Sequence, residues 1–317
     1  MIVRTDGTLL GLFGAVVAML AAASAVGAGL RWRARSDGAR ATMDEVNARI
    51  RGWWVMASIF MVSVVAGPAA SILLFAAVSF LALREFVTLM PASRADHRAL
   101  LWCFFVAIPL QYALVAVRWY GLFAILVPIY LSLFVVIRSA IGGDTGRFAE
   151  RAATIQLALL ICVYFVSYVP ALLMLRIPSY RLPNAGLIFF LVFVVQLSDV
   201  LQYVWGKSLG RRRIAPSVSP NKTWEGFAGG TLSATAAGTA IWWVTPFSPA
   251  QAAVLALAVA LMGFAGGLVM SAIKRDAGVK DYGSLIPGHG GVLDRIDSLC
   301  FAAPVFFHVT RYFFALS

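Results

Sequence analysis

The chain has 317 residues, of which 61% are hydrophobic and 13% charged, with a formal net charge of +12. A soluble chain carries about 25% charged residues, so the composition excludes a soluble fold. It points to an all-α polytopic integral membrane protein.

Apolar runs that can cross a bilayer as helices fall at 9–30, 53–67, 69–83, 99–117, 121–137, 154–175, 185–205, 226–247, 251–271 and 298–316. The first is read as a retained helix. Only Arg4 precedes it, offset by Asp6, and the arginine cluster follows it, the reverse of a cleaved signal. The charge-free stretch 52–83 is too long for one span and breaks at Gly67-Pro68, a helical hairpin. Both halves are short, so the count is nine to ten spans. Cys103, Cys162 and Cys300 lie in apolar stretches with no zinc or disulfide spacing, and read as small buried hydrophobes.

Taking the 31–52 loop as cytoplasmic, alternation puts loops 84–98, 138–153, 206–225 and 272–297 on the same side. Of the 26 Lys and Arg, only Arg4, Arg118, Arg176, Arg181 and Arg311 then fall elsewhere. This bias predicts both termini outside and five loops in the cytoplasm. The positive charge is thereby an orientation signal spread over short loops, and no nucleic-acid partner is expected. The arginine-rich stretch 31–51 reads as a loop on the headgroups or in solvent.

Two of these loops stand apart. The first, Ser198 to Gly226, opens with Asp199 near the end of an apolar helix. It continues through Lys207 and Arg211-Arg212-Arg213 to Ser219-Pro220-Asn221-Lys222-Thr223. Ser219 is expected to cap a helix starting at Pro220. Backbone N–H groups there, with Lys222 and Thr223, would form a phosphate site. Arg211 to Arg213 read chiefly as orientation charges.

The second, Ser271 to Ser298, carries Lys274, Arg275, Lys280 and Arg295 against Asp276, Asp281, Asp294 and Asp297. Its charges balance, so topology does not explain it. One such group at the bilayer centre costs at least about 2.5–3.5 kcal/mol, so the cluster belongs in a polar cavity or at the membrane face. Asp294 and Asp297 share a helix face with Ser298. With Asp281 they form a set of hard oxygen ligands suited to Mg²⁺, whose shell is completed by water and phosphate oxygens. A second metal ion is compatible with the same set. Lys274, Arg275, Lys280 and Arg295 would neutralise phosphate charge. Gly288, Gly290 and Gly291 permit a sharp turn and close approach to a ligand. His289 is either a substrate contact or a local hydrogen-bond partner. A structural salt-bridge knot is the alternative for the whole loop.

The run Ser271-x2-Lys274-Arg275-x4-Lys280-Asp281-x-Gly283-x2-Ile286-Pro287-x-His289-Gly290-Gly291-x2-Asp294-Arg295-x-Asp297 resembles the signature of phosphatidate cytidylyltransferases, also called CDP-diacylglycerol synthases. The block from Asp199 through Tyr203, Gly206-Lys207, Ser219-Pro220 and Lys222-Thr223-Trp224 resembles that family's other shared segment. Val200, Leu201 and Gln202 stand where relatives usually carry small or hydroxyl residues. The likeness covers roughly 195 to 300 and implies transfer of a cytidylyl group from CTP to phosphatidate, with Mg²⁺. It implies catalytic roles for Asp281, Asp294, Asp297, Lys274, Arg275, Lys280, Arg295 and His289. Asp199, Lys207, Ser219, Lys222, Thr223, Gly290 and Gly291 would bind substrate, and Asp281, Asp294, Asp297 and Ser298 the metal. Residues 1–183 would be a membrane scaffold and 184–317 the catalytic membrane domain. Expected partners are CTP, phosphatidate and membrane lipids, with a homodimer as a candidate assembly, in a bacterial inner membrane. The alternatives are a sibling acting on a polyprenyl or ether lipid phosphate, and a transporter of a phosphorylated solute.

Overall fold

The apolar runs fold as helices whose ends are set by the polar and turn residues between them. The computed structural model describes residues 7–34, 36–90, 93, 96–178, 180, 182, 184–285 and 290–315. The helices are α1 (Gly7–Arg33), α2 (Asp37–Ala66), α3 (Pro68–Thr88), α4 (His97–Val117), α5 (Tyr120–Ile141), α6 (Phe148–Met174), α7 (Ala185–Leu209), α8 (Trp224–Ala240), α9 (Pro249–Asp276) and α10 (Leu293–Ala315). Among the described residues nine are long and apolar enough to cross a membrane; the tenth, α8, has 17 residues. The chain is therefore an integral membrane protein.

The hairpin forms where expected: α2 ends at Ala66, Gly67 turns with φ 107, and Pro68 opens α3. The arginine-rich stretch is corrected. It is helix from Asp37 onward, because the Ser36 hydroxyl accepts the Ala39 N–H and starts α2 there. The i,i+4 pair Glu45–Arg49 lies along this extension. Likewise α9 runs on to Asp276, so Lys274 and Arg275 sit in its last turn and favour the carbonyl end of the helix.

One apolar core runs through the chain, from Leu12 to Phe307, across residue 184. Helix α6 is its most enclosed span, and α10 packs on α3, α6, α7 and α9. Cys103, Cys162 and Cys300 are buried and free. At one end of the bundle Arg151 of α6 donates to the fully buried Asp96 at 2.7 Å, and its other arm reaches Asp144. That ties the α3–α4 and α5–α6 connections together. At the opposite end the Tyr180 hydroxyl donates to the Val244 carbonyl at 2.6 Å.

Helices α7 and α8 touch along their small residues. A methyl at Gly230 would lie 2.4 Å from Gln202 Cγ, so only glycine permits that approach. The exposed indoles of Trp224 and of Trp242 and Trp243 bracket α8.

Candidate functional site

A cleft of about 880 Å³ opens at the end of the bundle where Asp96 and Arg151 pair. Its walls come from four segments: Glu45, Arg49 and Trp53 of α2; Gln196, Asp199, Val200 and Tyr203 of α7; Lys280, Asp281, Gly283, Ser284 and Gly290 of the α9–α10 loop; and Asp294, Arg295 and Asp297 of α10. The two loops singled out in the sequence thus meet in one place. His289 lies outside the described residues.

Asp294 is 8% exposed and fully engaged. Its Oδ1 accepts Lys274 Nζ at 2.9 Å, and its Oδ2 accepts the backbone N–H of Tyr282 at 2.8 Å and of Gly291 at 2.9 Å. This carboxylate folds the loop back on α10 and holds Lys274 over the Tyr282 ring. At Gly290 and Gly291 the groups nearest the place of a Cβ are protein carboxylates, and Gly288 lies outside the described residues. Gly290 has φ +79, and a methyl there would lie 2.8 Å from Asp294 Oδ2. Gly290→Ala is therefore strained twice, by its backbone and by this contact. It is expected to lower the melting temperature and to displace Asp294, which thermal unfolding in detergent and turnover measured together would read.

A second polar face lies one turn away. Asp297 points with Ser298 toward Asp199 on α7, and Lys222 and Arg295 stand within electrostatic reach of Asp199. Lys222 Nζ and Ser298 Oγ both sit beside Gly267 of α9, at 3.0 and 3.3 Å from where its Cβ would be. The ammonium reaches the Phe264 carbonyl and lies 4.6 Å over the Phe264 ring. Burial pulls the Lys222 pKa below the ordinary lysine value; Asp199 and Asp297 oppose the shift, and Lys274 adds to it. Arg295 Nε is buried with no hydrogen-bond partner among the described residues, an orphaned donor on the cleft wall.

The expected helix start at Pro220 is corrected. Ser219–Thr223 is a strand, β2, paired antiparallel with β1 (Arg213–Ala215) in the register Ala215↔Ser219 and Arg213↔Thr223. Proline lacks an N–H but is tolerated on a two-stranded edge. Thr223, with φ −122 and ψ 154, caps α8 instead, its hydroxyl accepting the Gly226 N–H. The Thr223 hydroxyl thus serves the fold, and the hairpin's contribution to the cluster is Lys222. Glu225, missed in the sequence, fixes the hairpin by accepting the backbone N–H groups of Arg211 and Arg212. Lys207 lies exposed against Tyr203, and Arg275 is exposed and bonded to the Val279 carbonyl. Neither lines the cleft.

Sequence reasoning also missed Glu85. Its two oxygens accept the N–H groups of Val292 at 2.9 Å and Leu293 at 2.8 Å, at the start of α10. The only signal was an acid next to Arg84 at the end of an apolar run.

The donor chemistry of Asp199, Asp297 and Ser298 suits Mg²⁺, which takes one or two carboxylates and keeps open positions for water and phosphate. Of the expected set, Asp297 and Ser298 lie beside Asp199. Asp294 is occupied by Lys274 and backbone, and Asp281 is exposed on the cleft wall. Among the described residues no three His, Cys, Asp or Glu side chains converge on one point.

Comparison with known proteins places these residues in context. The model of a family described as "Cytidylyltransferase family" matches residues 47–313. The Escherichia coli protein YnbB, itself uncharacterised, is 42% identical over 84% of this chain and 88% of its own length. The phosphatidate cytidylyltransferase of Haemophilus influenzae is 34% identical over 63% of this chain and 68% of its own length. That of Bacillus subtilis is 41% identical over 40% of this chain and 48% of its own length, so the match spans about half of that relative.

Proposed function

The chain belongs to the cytidylyltransferase family, and from that premise we propose that it transfers a cytidylyl group from CTP to phosphatidate, giving CDP-diacylglycerol and pyrophosphate. The observation that carries this reading is the cleft itself. Carboxylates from α7 and α10 and cations from β2, α9 and α10 converge at the ends of membrane helices. A lipid can keep its acyl chains in the bilayer and bring its phosphate there, while a nucleotide enters from water.

A phosphate monoester has a second pKa near about 6 and is largely a dianion at neutral pH. It needs no strong base to attack the α-phosphorus of CTP. A phosphate oxygen of the lipid forms the new P–O bond, the bond between the α- and β-phosphates breaks, and pyrophosphate leaves with the electron pair. Two anions must be held together and the leaving charge must be stabilised. In this reading Lys222 and Arg295, whose Nε has no hydrogen-bond partner among the described residues, would bind phosphate oxygens, with Lys280 at the cleft wall. Asp199 and Asp297, with Ser298, would hold Mg²⁺, which when bound supplies positive charge between nucleotide and lipid phosphates.

The test is incorporation of labelled nucleotide by purified protein, comparing CTP with dCTP and phosphatidate with polyprenyl and ether-lipid phosphates. The last arms matter because Val200, where relatives usually carry a small or hydroxyl residue, lines the cleft. Cytidylyl transfer to phosphatidate faster than to the others supports the reading; transfer only to another lipid phosphate replaces it with a sibling activity.

The reading also places the protein in a bacterial cytoplasmic membrane with the cleft facing the cytoplasm. With the three native cysteines replaced, Ser284→Cys in intact cells should resist a thiol probe that cannot cross membranes, and Ser317→Cys should react. The opposite labelling pattern would reverse the orientation.

A further inference from the structure

Helix α10 presents Asp294, Arg295 and Asp297 in its first two turns, so the position of its first turn fixes the geometry of the cleft. No side chain of its own caps that turn: Val292 at the boundary has helical φ −62 and ψ −42 and an apolar side chain. The free N–H groups there are met from far away in sequence, by Glu85 of α3. Oε1 accepts Val292 N–H and Oε2 accepts Leu293 N–H, at 2.9 and 2.8 Å. A carboxylate at this end also opposes the positive pole of the helix.

The loop is shaped around the same carboxylate. A methyl at Gly291 would lie 2.4 Å from Glu85 Oε2, and one at Gly283 3.0 Å from Oε1. The neighbouring Phe86 stacks on Tyr282 with ring centroids 6.1 Å apart. Tyr282 in turn donates its backbone N–H to Asp294. The last turn of α3 therefore grips both sides of the site loop, through a ring and through a carboxylate.

We propose that Glu85 is a positioning residue for the transfer reaction: it fixes the first turn of α10 so that Asp297 and Arg295 meet Asp199 and Lys222 in working register. The proposal rests on the cytidylyl-transfer reading for its kinetic consequence, but not for its structural one. A displacement of about 1 Å at reacting groups costs on the order of 10²-fold in rate. Glu85→Ala is expected to lower kcat by about that factor while KM for CTP changes by less than about threefold, the split expected when transition-state alignment is lost rather than binding. Glu85→Gln, which keeps size but can accept only one of the two N–H groups, should fall between it and the wild type.

The experiment pairs steady-state kinetics with backbone hydrogen exchange across residues 290–298 and with melting temperature, on full-length protein in detergent. The expected result is faster exchange at 292 and 293 together with the fall in kcat in a variant that remains folded. If Glu85→Ala does not fold, Glu85→Gln decides by the same criteria. Wild-type kcat in a folded variant overturns the proposal, and so does a loss of kcat with exchange at 292 and 293 unchanged. Should the wild-type protein fail to transfer cytidylyl groups at all, the functional reading fails; unchanged exchange in the variants would then separately overturn the role of Glu85.

Discussion

Asp297→Asn is expected to reduce turnover by at least about 10³-fold, roughly 4 kcal/mol of transition-state stabilisation, in protein that folds normally. Asp297 faces a second carboxylate, Asp199, across the cleft. Removing one of two like charges relieves repulsion, so stability should hold or rise slightly. Raised Mg²⁺ or Mn²⁺ should restore part of the activity if the carboxylates hold metal. Asp294→Asn should behave differently. Asp294 is buried with Lys274 and two backbone N–H groups, and breaking a buried pair costs about 3–5 kcal/mol. Its melting temperature should fall along with its activity. Turnover per folded molecule, measured beside thermal unfolding, separates the two. Near-wild-type turnover in folded Asp297→Asn would remove that residue from the site.

Lys222→Ala should lower kcat/KM for CTP by about 10²-fold or more, whereas Arg212→Ala should change it by less than about threefold. Lys222 is drawn inward beside Ser298 and within reach of Asp199 and Asp297. Arg212 is an exposed hairpin residue whose recorded bonds to Glu225 come from its backbone N–H. Removing Lys222 also takes away one of the cations near Asp199 and Asp297, leaving Arg295 and Lys274, so its loss should be sharpest at low Mg²⁺. Equal, small effects of the two substitutions would show that the ammonium does not contact phosphate. A titration of rate against CTP at two Mg²⁺ concentrations gives the comparison.

The membrane class and nearly every span were legible because lipid demands long uninterrupted apolar runs, and such runs have few other uses. The helix spacing of Asp294, Asp297 and Ser298 was legible for the same reason that any i,i+3 pattern is. Their division of labour was not. Asp294 turns inward to Lys274 and the loop backbone while Asp297 faces Asp199, and that difference depends on which way α10 is rotated against α9 and α7. A sequence holds no record of that rotation. The helix start at Pro220 was misplaced because Ser219-Pro220 and Thr223-Trp224 both offer a hydroxyl before a possible first turn. Pairing with β1 decided between them. Glu85 was invisible because its partners are main-chain N–H groups some two hundred positions away, and backbone donors leave no mark on residue type.

The 17 residues of α8 measure about 25 Å along the axis, against a hydrocarbon layer of about 30 Å. Its bracketing tryptophans are exposed and of the type that favours the membrane interface. Local thinning of the bilayer is one way in which mismatch of this size is relieved. Lipids beside α8 would then present their phosphates a few ångström deeper than elsewhere in the bilayer. Bilayer thickness becomes a variable of the enzyme: reconstitution into lipids with longer acyl chains should slow it without any change in its residues.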